Sequence, residues 1–224
     1  MGAISIYSSA GLILTTLLTL WLFYKASSHK KVIYGVIIWM ILVGILGIMG
    51  FYQETEVIPP RIVFLLMPGI ILVIILFSSK KAKAWIDKLN LKWLTLLHIV
   101  RVPVEIILYR MYLAGSIPVL MTFEGYNYDI LSGITAPAIY YFVFVNKKLG
   151  RKSLLIWNFI CLALLLNILT IAALSAETPF QKLAFDQPNV GVTQFPFVWL
   201  PAIIVPLVLF SHLASIWQLT VRKS

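Results

Sequence analysis

Charged residues are scarce in this chain, and acidic residues are the scarcest of them. Only 12% of its 224 residues are charged, 61% are hydrophobic, and the mean hydropathy is +0.96. A water-soluble domain requires a larger charged surface, so the composition excludes that class and indicates an integral membrane protein. We expect one polytopic membrane domain over residues 1–224.

Cysteine, histidine and catalytic motifs are also nearly or wholly missing. The single cysteine, Cys161, lies in an apolar run, which excludes an internal disulfide, a CxxC redox pair and a cysteine-based zinc site. Three histidines are too few for a histidine-rich di-iron oxygenase. The sequence contains no HExxH, GxSxG, DxxD or Walker motif, so no known catalytic signature defines a reaction.

The net charge of +10 comes from short basic clusters between apolar runs. That distribution follows the positive-inside rule and argues against nucleic-acid binding. If the apolar segments alternate across a membrane, 14 of the 18 basic residues lie on one side. These are Lys25, Lys30, Lys31, Lys80, Lys81, Lys83, Lys88, Lys92, Lys147, Lys148, Arg151, Lys152, Arg222 and Lys223. The distribution predicts a cytoplasmic C-terminus, an outside N-terminus and a bacterial-type inner-membrane location.

Seven apolar segments are long enough to cross about 30 Å of hydrocarbon. The first segment has no basic region before it and no small-residue cleavage site, so we expect a retained helix rather than a signal peptide. The sequence therefore predicts an all-α, seven-transmembrane-helix bundle. The predicted helices lie near 3–24, 32–52, 61–79, 93–118, 129–146, 153–175 and 196–220.

Residues 80–92 separate the third and fourth segments and are rich in lysine. Trp85, Ile86, Leu89 and Trp93 fall on one side of a helix through this segment, and the lysines fall largely on the other. This pattern predicts a short helix in the cytoplasmic headgroup layer.

Small residues and prolines mark close approaches and breaks in the other helices. Gly44, Gly47 and Gly50 recur at three-residue steps, which favours tight helix packing. Prolines inside the predicted helices predict kinks, because each removes a backbone hydrogen bond. We expect such kinks at Pro68, Pro103, Pro137, Pro201 and Pro206. The outer segment 177–193 is either a connector or a lid.

The fourth segment departs from ordinary lipid-soluble sequence. At about 100° per residue, His98 and Glu105 point within about 20° of each other, Tyr109 and Tyr112 fall on the same side, and Arg101 lies about 60° away. Ionisable groups inside a membrane must turn toward partners, water or a ligand, so the stripe predicts a polar ligand site. The candidate residues are His98, Arg101, Glu105, Tyr109, Arg110, Tyr112, Glu124, Asn127, Asp129 and His212.

Sequence spacing also suggests how these charges are partnered. Arg101 and Glu105 are four residues apart and could form an ion pair along one helix face. Arg110 has Glu124 or Asp129 as possible partners nearer the outside. Asp129 begins the fifth segment, where capping of the helix is the simplest role.

The turn TFEGYNYD, residues 122–129, offers an alternative site. Glu124, Asn127 and Asp129 could together bind a cation or a polyol there.

Three functions and one structural alternative remain open for the stripe. Binding and passage of a small polar or charged solute is favoured, with proton linkage through histidine and glutamate as one form and an arginine holding an anionic group. An intramembrane enzyme acting on a lipid or isoprenoid is the second. A haem or metal protein ligated by His98 and His212 is the third, although no cofactor is expected. A purely structural polar network is the fourth. The bilayer and a small polar or lipidic ligand are the expected partners, and the oligomeric state is left open.

Overall fold

Helices account for the secondary structure throughout residues 5–54 and 57–221, the parts of the chain that the computed structural model describes. The start of the first predicted segment, Glu56 and the terminal basic residues Arg222 and Lys223 lie outside these two ranges. No β-strand occurs within the described residues, so the all-α prediction is confirmed.

Nine α-helices follow one another along those described residues. Their bounds are α1 Ile6–Ser27, α2 Lys30–Ile48, α3 Val63–Ser78, α4 Lys80–Ile86, α5 Leu91–Leu97, α6 Arg101–Leu113, α7 Ile130–Tyr140, α8 Arg151–Leu174 and α9 Val205–Val221. A 3₁₀ turn joins α5 to α6, a π-helical turn extends α7, and another precedes α9. These three turns are His98–Val100, Tyr141–Val145 and Leu200–Ile204.

Four of the helical stretches are long and apolar enough to cross a membrane, namely α1, α2, α8 and Leu200–Val221. Helices α3 and α4 form a pair bent by 96°, which adds a fifth stretch if the pair is one broken span. The prediction of several membrane-compatible helices is therefore confirmed. The predicted number of seven crossings is not established, because α5 and α6 are divided by a 3₁₀ turn and Ile130–Val145 is short.

Two prolines explain local breaks in helical hydrogen bonding. Pro103 has no N–H to donate to the carbonyl of Ile99, and the chain forms the 3₁₀ turn His98–Val100 at this point. Pro206 likewise cannot bond to the carbonyl of Ala202, whose oxygen accepts a hydrogen bond from the Trp39 indole at 3.3 Å. Pro103 thus explains the irregular backbone next to His98, and Pro206 leaves the Ala202 carbonyl available to a side chain of α2.

The glycines of α2 allow a close approach to the segment before α9. A Cβ atom on Gly44 would lie 3.3 Å from Nε1 of Trp199, and one on Gly47 would lie 2.9 Å from Cγ2 of Val198. Both contacts confirm the packing role predicted for these positions. Gly50 differs, because it follows α2 in the left-handed conformation with φ +71° and begins a turn.

The helix predicted over residues 80–92 is interrupted, because α4 ends at Ile86 and α5 begins at Leu91, and apolar side chains of this segment pack against α9. Ile86 and Leu89 are buried, and Trp85 stacks on Phe210 with ring centroids 5.7 Å apart. Nε2 of Gln218 on α9 donates to the carbonyl oxygens of Ile86 and Leu89 at 2.6 and 3.0 Å. Helix α4 is therefore fixed across the end of α9.

The chain between α6 and α7 turns back into the protein. Helix α6 rises about 18 Å from Arg101 to Leu113, yet Asp129, at the end of the following loop, contacts Arg101 at the beginning of that helix. Gly125 makes this return possible, because any Cβ there would collide with the backbone at Val119. The loop thereby carries its last residues down beside α6, rather than leaving them beyond its outer end as the sequence suggested.

Candidate ligand-binding site

Arg101 is the centre of a buried polar network. Its Nη1 donates to Oδ1 of Asp129 and, at 3.3 Å, to the carbonyl oxygen of Cys161 on α8, while Nη2 lies 3.0 Å from Nε2 of His212 on α9. Arg101 and Asp129 are 3% and 5% exposed. The predicted ion pair between Arg101 and Glu105 is wrong: the guanidinium pairs with Asp129, which the returning loop brings to it.

Asp129 owes this position to a close contact between α6 and α7. A Cβ atom on Gly133 would lie 2.7 Å from Cγ2 of Val102 and 2.9 Å from its backbone nitrogen, so only glycine lets the two helices approach this closely. The Asp129 side chain makes no capping hydrogen bond at the start of α7. The predicted capping role is therefore wrong, and the carboxylate is committed to Arg101.

The hydrogen bonds of His212 define its tautomer. A guanidinium has only donors, so Nε2 of His212 must accept from Arg101. The proton therefore resides on Nδ1, which donates to Oδ1 of Asn158 at 2.9 Å. His98 stacks on this neutral ring with centroids 3.8 Å apart and an interplanar angle of 14°.

This arrangement opposes the haem or metal alternative. Both ring nitrogens of His212 already have partners, and its ring lies almost parallel to that of His98 rather than converging with it on one point. No group of three or more His, Cys, Asp or Glu side chains in the described part of the chain is arranged to hold a metal ion. The geometry of the two rings gives no support to the hypothesis that His98 and His212 ligate one centre.

Glu105 has one oxygen with a hydrogen-bond partner and one buried oxygen without a partner. Nδ2 of Asn127 donates to Oε1 of Glu105 at 2.6 Å and to the carbonyl oxygen of Met121 at 3.0 Å, while Oδ1 of Asn127 accepts from the backbone N–H of Asp129 at 3.1 Å. Glu105 is only 2% exposed, and its Oε2 has no hydrogen-bond partner. The predicted stripe thus contains a buried carboxyl group that the protein leaves half satisfied.

That carboxyl group lines a cavity of about 340 Å³ bounded by α3, α6, α8 and the start of α9. Glu105 and Asp129 are its charged lining residues, Thr178 and Asn189 add polar groups, and the remaining lining is apolar. The shape and lining suit a small ligand with an apolar body and one polar group.

The cavity reaches the surface of the protein between α3 and the C-terminal end of α8. Val63, Met67 and Phe180 line it and are 37%, 41% and 63% exposed. Glu105 and Asp129 are buried residues of the same lining. A ligand could therefore enter from the apolar flank without crossing the Arg101 network.

Residues 58–220 match a family model described as Domain of unknown function (DUF8737). The chain belongs to this family. The DUF8737 region contains the whole Arg101 network and the Glu105 cavity, whereas α1 and α2 precede it. No curated protein and no solved structure matches the chain.

Four predicted site residues of the DUF8737 region belong neither to the cavity lining nor to the buried polar network. Tyr109 and Tyr112 contact each other with ring centroids 6.2 Å apart, and Arg110 and Glu124 are exposed. Within the described ranges, Arg110 forms no ion pair with Glu124 or with Asp129, so its predicted pairing is wrong. The predicted cation or polyol site in the outer turn is also divided, because Asn127 and Asp129 face inward while Glu124 does not.

The outer segment 177–193 supplies part of the cavity wall. Nε2 of Gln187 donates to the carbonyl oxygens of Tyr112 and Ile117. The backbone N–H of Gly191 donates to the carbonyl oxygen of Ser116 at 2.7 Å. Asn189 is buried and lines the cavity. The segment is therefore tied to the C-terminal end of α6 and forms part of the cavity wall.

The sequence did not predict the apolar wall of the cavity or the backbone carbonyl that accepts a hydrogen bond from Arg101. The wall comes from residues of α3, α8 and the outer segment, whose apolar character resembles that of any membrane helix. The carbonyl of Cys161 leaves no signal in the sequence at all. Asn158 and His212 were recognisable as polar residues in apolar helices.

Proposed function

We propose that this protein binds a small amphiphilic ligand in the Glu105 cavity and passes it across a membrane. The observation that carries the proposal is a buried carboxyl group, with one oxygen lacking a hydrogen-bond partner, in the lining of a largely apolar cavity. An unsatisfied buried polar atom costs about 1–3 kcal/mol, and a polar group of a ligand could recover part of that cost. The sequence favoured a polar or charged solute; the apolar walls favour one with a hydrophobic body.

The proposal places the protein in a bacterial-type inner membrane with seven crossings, the N-terminus outside and the C-terminus in the cytoplasm. Its support is the segregation of basic residues and the membrane-compatible length of several helices. Reporter fusions should give cytoplasmic signals after Lys31, Lys88, Lys152 and Ser224, and external signals after Glu56, Glu124 and Asp186. A C-terminus on the outer side would contradict this orientation.

A proton pathway through the two histidines has little support. The Nε2 of His212 accepts from Arg101, and an arginine side chain keeps its protons and cannot relay them. Any proton linkage is therefore assigned to Glu105 instead. The sequence-based expectation that the transport rate changes near pH 6–7, where histidine titrates, is therefore not supported.

Two alanines on α8 provide a matched test of ligand binding. Ala172 lines the cavity, whereas Ala163 is exposed and does not. We expect native mass spectrometry to find a co-purified amphiphile on the parent protein and on Ala163→Phe but not on Ala172→Phe, whose ring would fill the cavity. Proteoliposomes that contain the parent protein or Ala163→Phe should then transport the identified compound, and those that contain Ala172→Phe should not. Equal occupancy of the two variants would contradict the proposal.

Chemistry on a lipid is the second candidate, because the same apolar cavity presents Glu105 as a possible acid or base. The role of Arg101 as a headgroup anchor is not supported, since its guanidinium is bound to Asp129, Cys161 and His212 and is not among the cavity lining. Conversion of the co-purified compound by the parent protein, lost in Glu105→Gln, would favour this candidate over passage.

A further inference from the structure

The buried charges of the site do not balance. Within residues 5–54 and 57–221, three side chains that carry a formal charge are buried: Arg101, Glu105 and Asp129. They provide one positive and two negative formal charges. If both carboxyl groups are ionised, the site contains one excess negative charge.

The neighbouring histidines do not supply the missing positive charge. His212 is neutral because its Nε2 accepts from Arg101. Both nitrogens of His98 are buried without hydrogen-bond partners, and an imidazolium there would add a second unpartnered donor close to a guanidinium. Either a proton on one of the two carboxyl groups or a cation bound beside them would restore the balance.

The excess charge is localised on Glu105. Asp129 is ion-paired to Arg101 and accepts a longer hydrogen bond, of 3.5 Å, from Ser132. Glu105 receives one hydrogen bond from the neutral amide of Asn127, and its Oε2 has none. Because an uncompensated buried charge is costly, a cation bound beside an ionised Glu105 carboxyl group would be held strongly.

We infer that the cavity selects an amphiphilic cation, such as a primary alkylammonium, with its charged nitrogen beside the Glu105 carboxyl group and its apolar chain along α3 and α8. This inference rests on the proposed function and names its ligand class. It reverses the sequence-based expectation of an arginine holding an anionic group, because Arg101 is already neutralised. A cavity of about 340 Å³ suits a small molecule rather than a complete phospholipid.

Three probes of equal chain length test the charge preference: hexylammonium, hexanol and hexanoate. The full chain is placed in nanodiscs of zwitterionic lipid, and the shift of its melting temperature is measured against probe concentration. A ligand that binds the native state raises that temperature. We expect hexylammonium to bind about 10- to 100-fold more tightly than hexanol, the gain typical of a hydrogen bond to a charged group, and hexanoate to produce no shift.

Two variants assign the preference to one carboxyl group. Glu105→Gln should bring hexylammonium and hexanol to similar affinities. Glu124→Gln, which removes an exposed carboxylate from the same part of the chain, should leave the preference unchanged. The comparison of hexylammonium with hexanoate on the parent protein needs no variant, so a Glu105→Gln protein that does not fold would not remove the test.

The outcomes separate the two proposals. Equal affinities for hexylammonium and hexanol on the parent protein, both lost in Ala172→Phe, would overturn the cation inference while supporting an amphiphile cavity. Stronger binding of hexanoate would overturn the inference as well. Probe responses that are unchanged in Ala172→Phe would overturn the proposed function and the inference that rests on it.

Discussion

Replacing Asp129 by asparagine tests the buried pairing most sharply. The substitution preserves the shape of the side chain but removes the negative charge that faces Arg101, at a place where the two residues are 5% and 3% exposed. Breaking a buried ion pair by neutralising one partner costs about 3–5 kcal/mol, because the remaining charge is uncompensated. We therefore expect Asp129→Asn to lower the free energy of unfolding by about that amount.

Glu105→Gln is the matched control for this prediction. It neutralises the other buried carboxyl group, which accepts from Asn127 but forms no ion pair with Arg101 in the described residues. The glutamine oxygen can still accept that hydrogen bond and Arg101 keeps its partner, so we expect no loss of stability comparable with that of Asp129→Asn. Both variants can be measured by SDS-induced unfolding in mixed micelles, followed by tryptophan fluorescence.

A double variant separates pairing from packing. Arg101→Met combined with Asp129→Asn removes both charges, and it should regain much of the stability lost by Asp129→Asn alone. If Glu105→Gln were as destabilising as Asp129→Asn, the assignment of Arg101 to Asp129 would be refuted. The simple pairing within α6 that the sequence suggested would then be restored.

Two further predictions concern the surroundings of the pair. Gly133→Ala should destabilise the protein by about 1–3 kcal/mol, because its Cβ would lie 2.7 Å from the Val102 side chain. Gly35→Ala is the control: a Cβ there has nothing within 4 Å, so the variant should be neutral or slightly stabilising in the same unfolding assay. Equal effects of the two variants would argue against close contact of α6 and α7. Nitrogen NMR of ¹⁵N-histidine-labelled protein should show His212 as the neutral Nδ1–H tautomer, and a protonated or Nε2–H ring would contradict the hydrogen bond from Arg101.

Helical periodicity identified the part of the site that lies on one helix. His98, Arg101 and Glu105 stood out because each is polar in an apolar run, and all three are buried. The periodicity of one helix also suggested their partners, and there it was misleading. A spacing of four residues permits an ion pair, but it carries no information about a competing carboxylate supplied by another segment.

The partner of Arg101 was missed because the path of a loop is a tertiary property. Residues after a predicted helix end were placed outside, so Asp129 was interpreted as a cap. The loop returns because Gly125 tolerates close backbone contact and Gly133 lets α7 approach α6. Neither glycine predicts the return of the loop from the sequence alone, because a glycine in a turn or helix has several ordinary roles.

The cavity could not be predicted for a different reason. Its walls are Leu, Ile, Val, Met and Ala side chains from separate helices, and their sequence pattern does not distinguish lipid-facing from cavity-facing positions. Packing alone determines whether these helices meet or leave a space. The polar end of the site was therefore predictable, and the volume beside it was not.

An experimental density map of the full chain in lipid nanodiscs tests the central claim most directly. The account predicts elongated density in the cavity, entering between α3 and α8 and ending within about 3 Å of the Glu105 carboxyl group, the distance of a hydrogen bond. A cavity closed by side chains, with Glu105 turned to Arg101 and no space beside its carboxyl group, would contradict it.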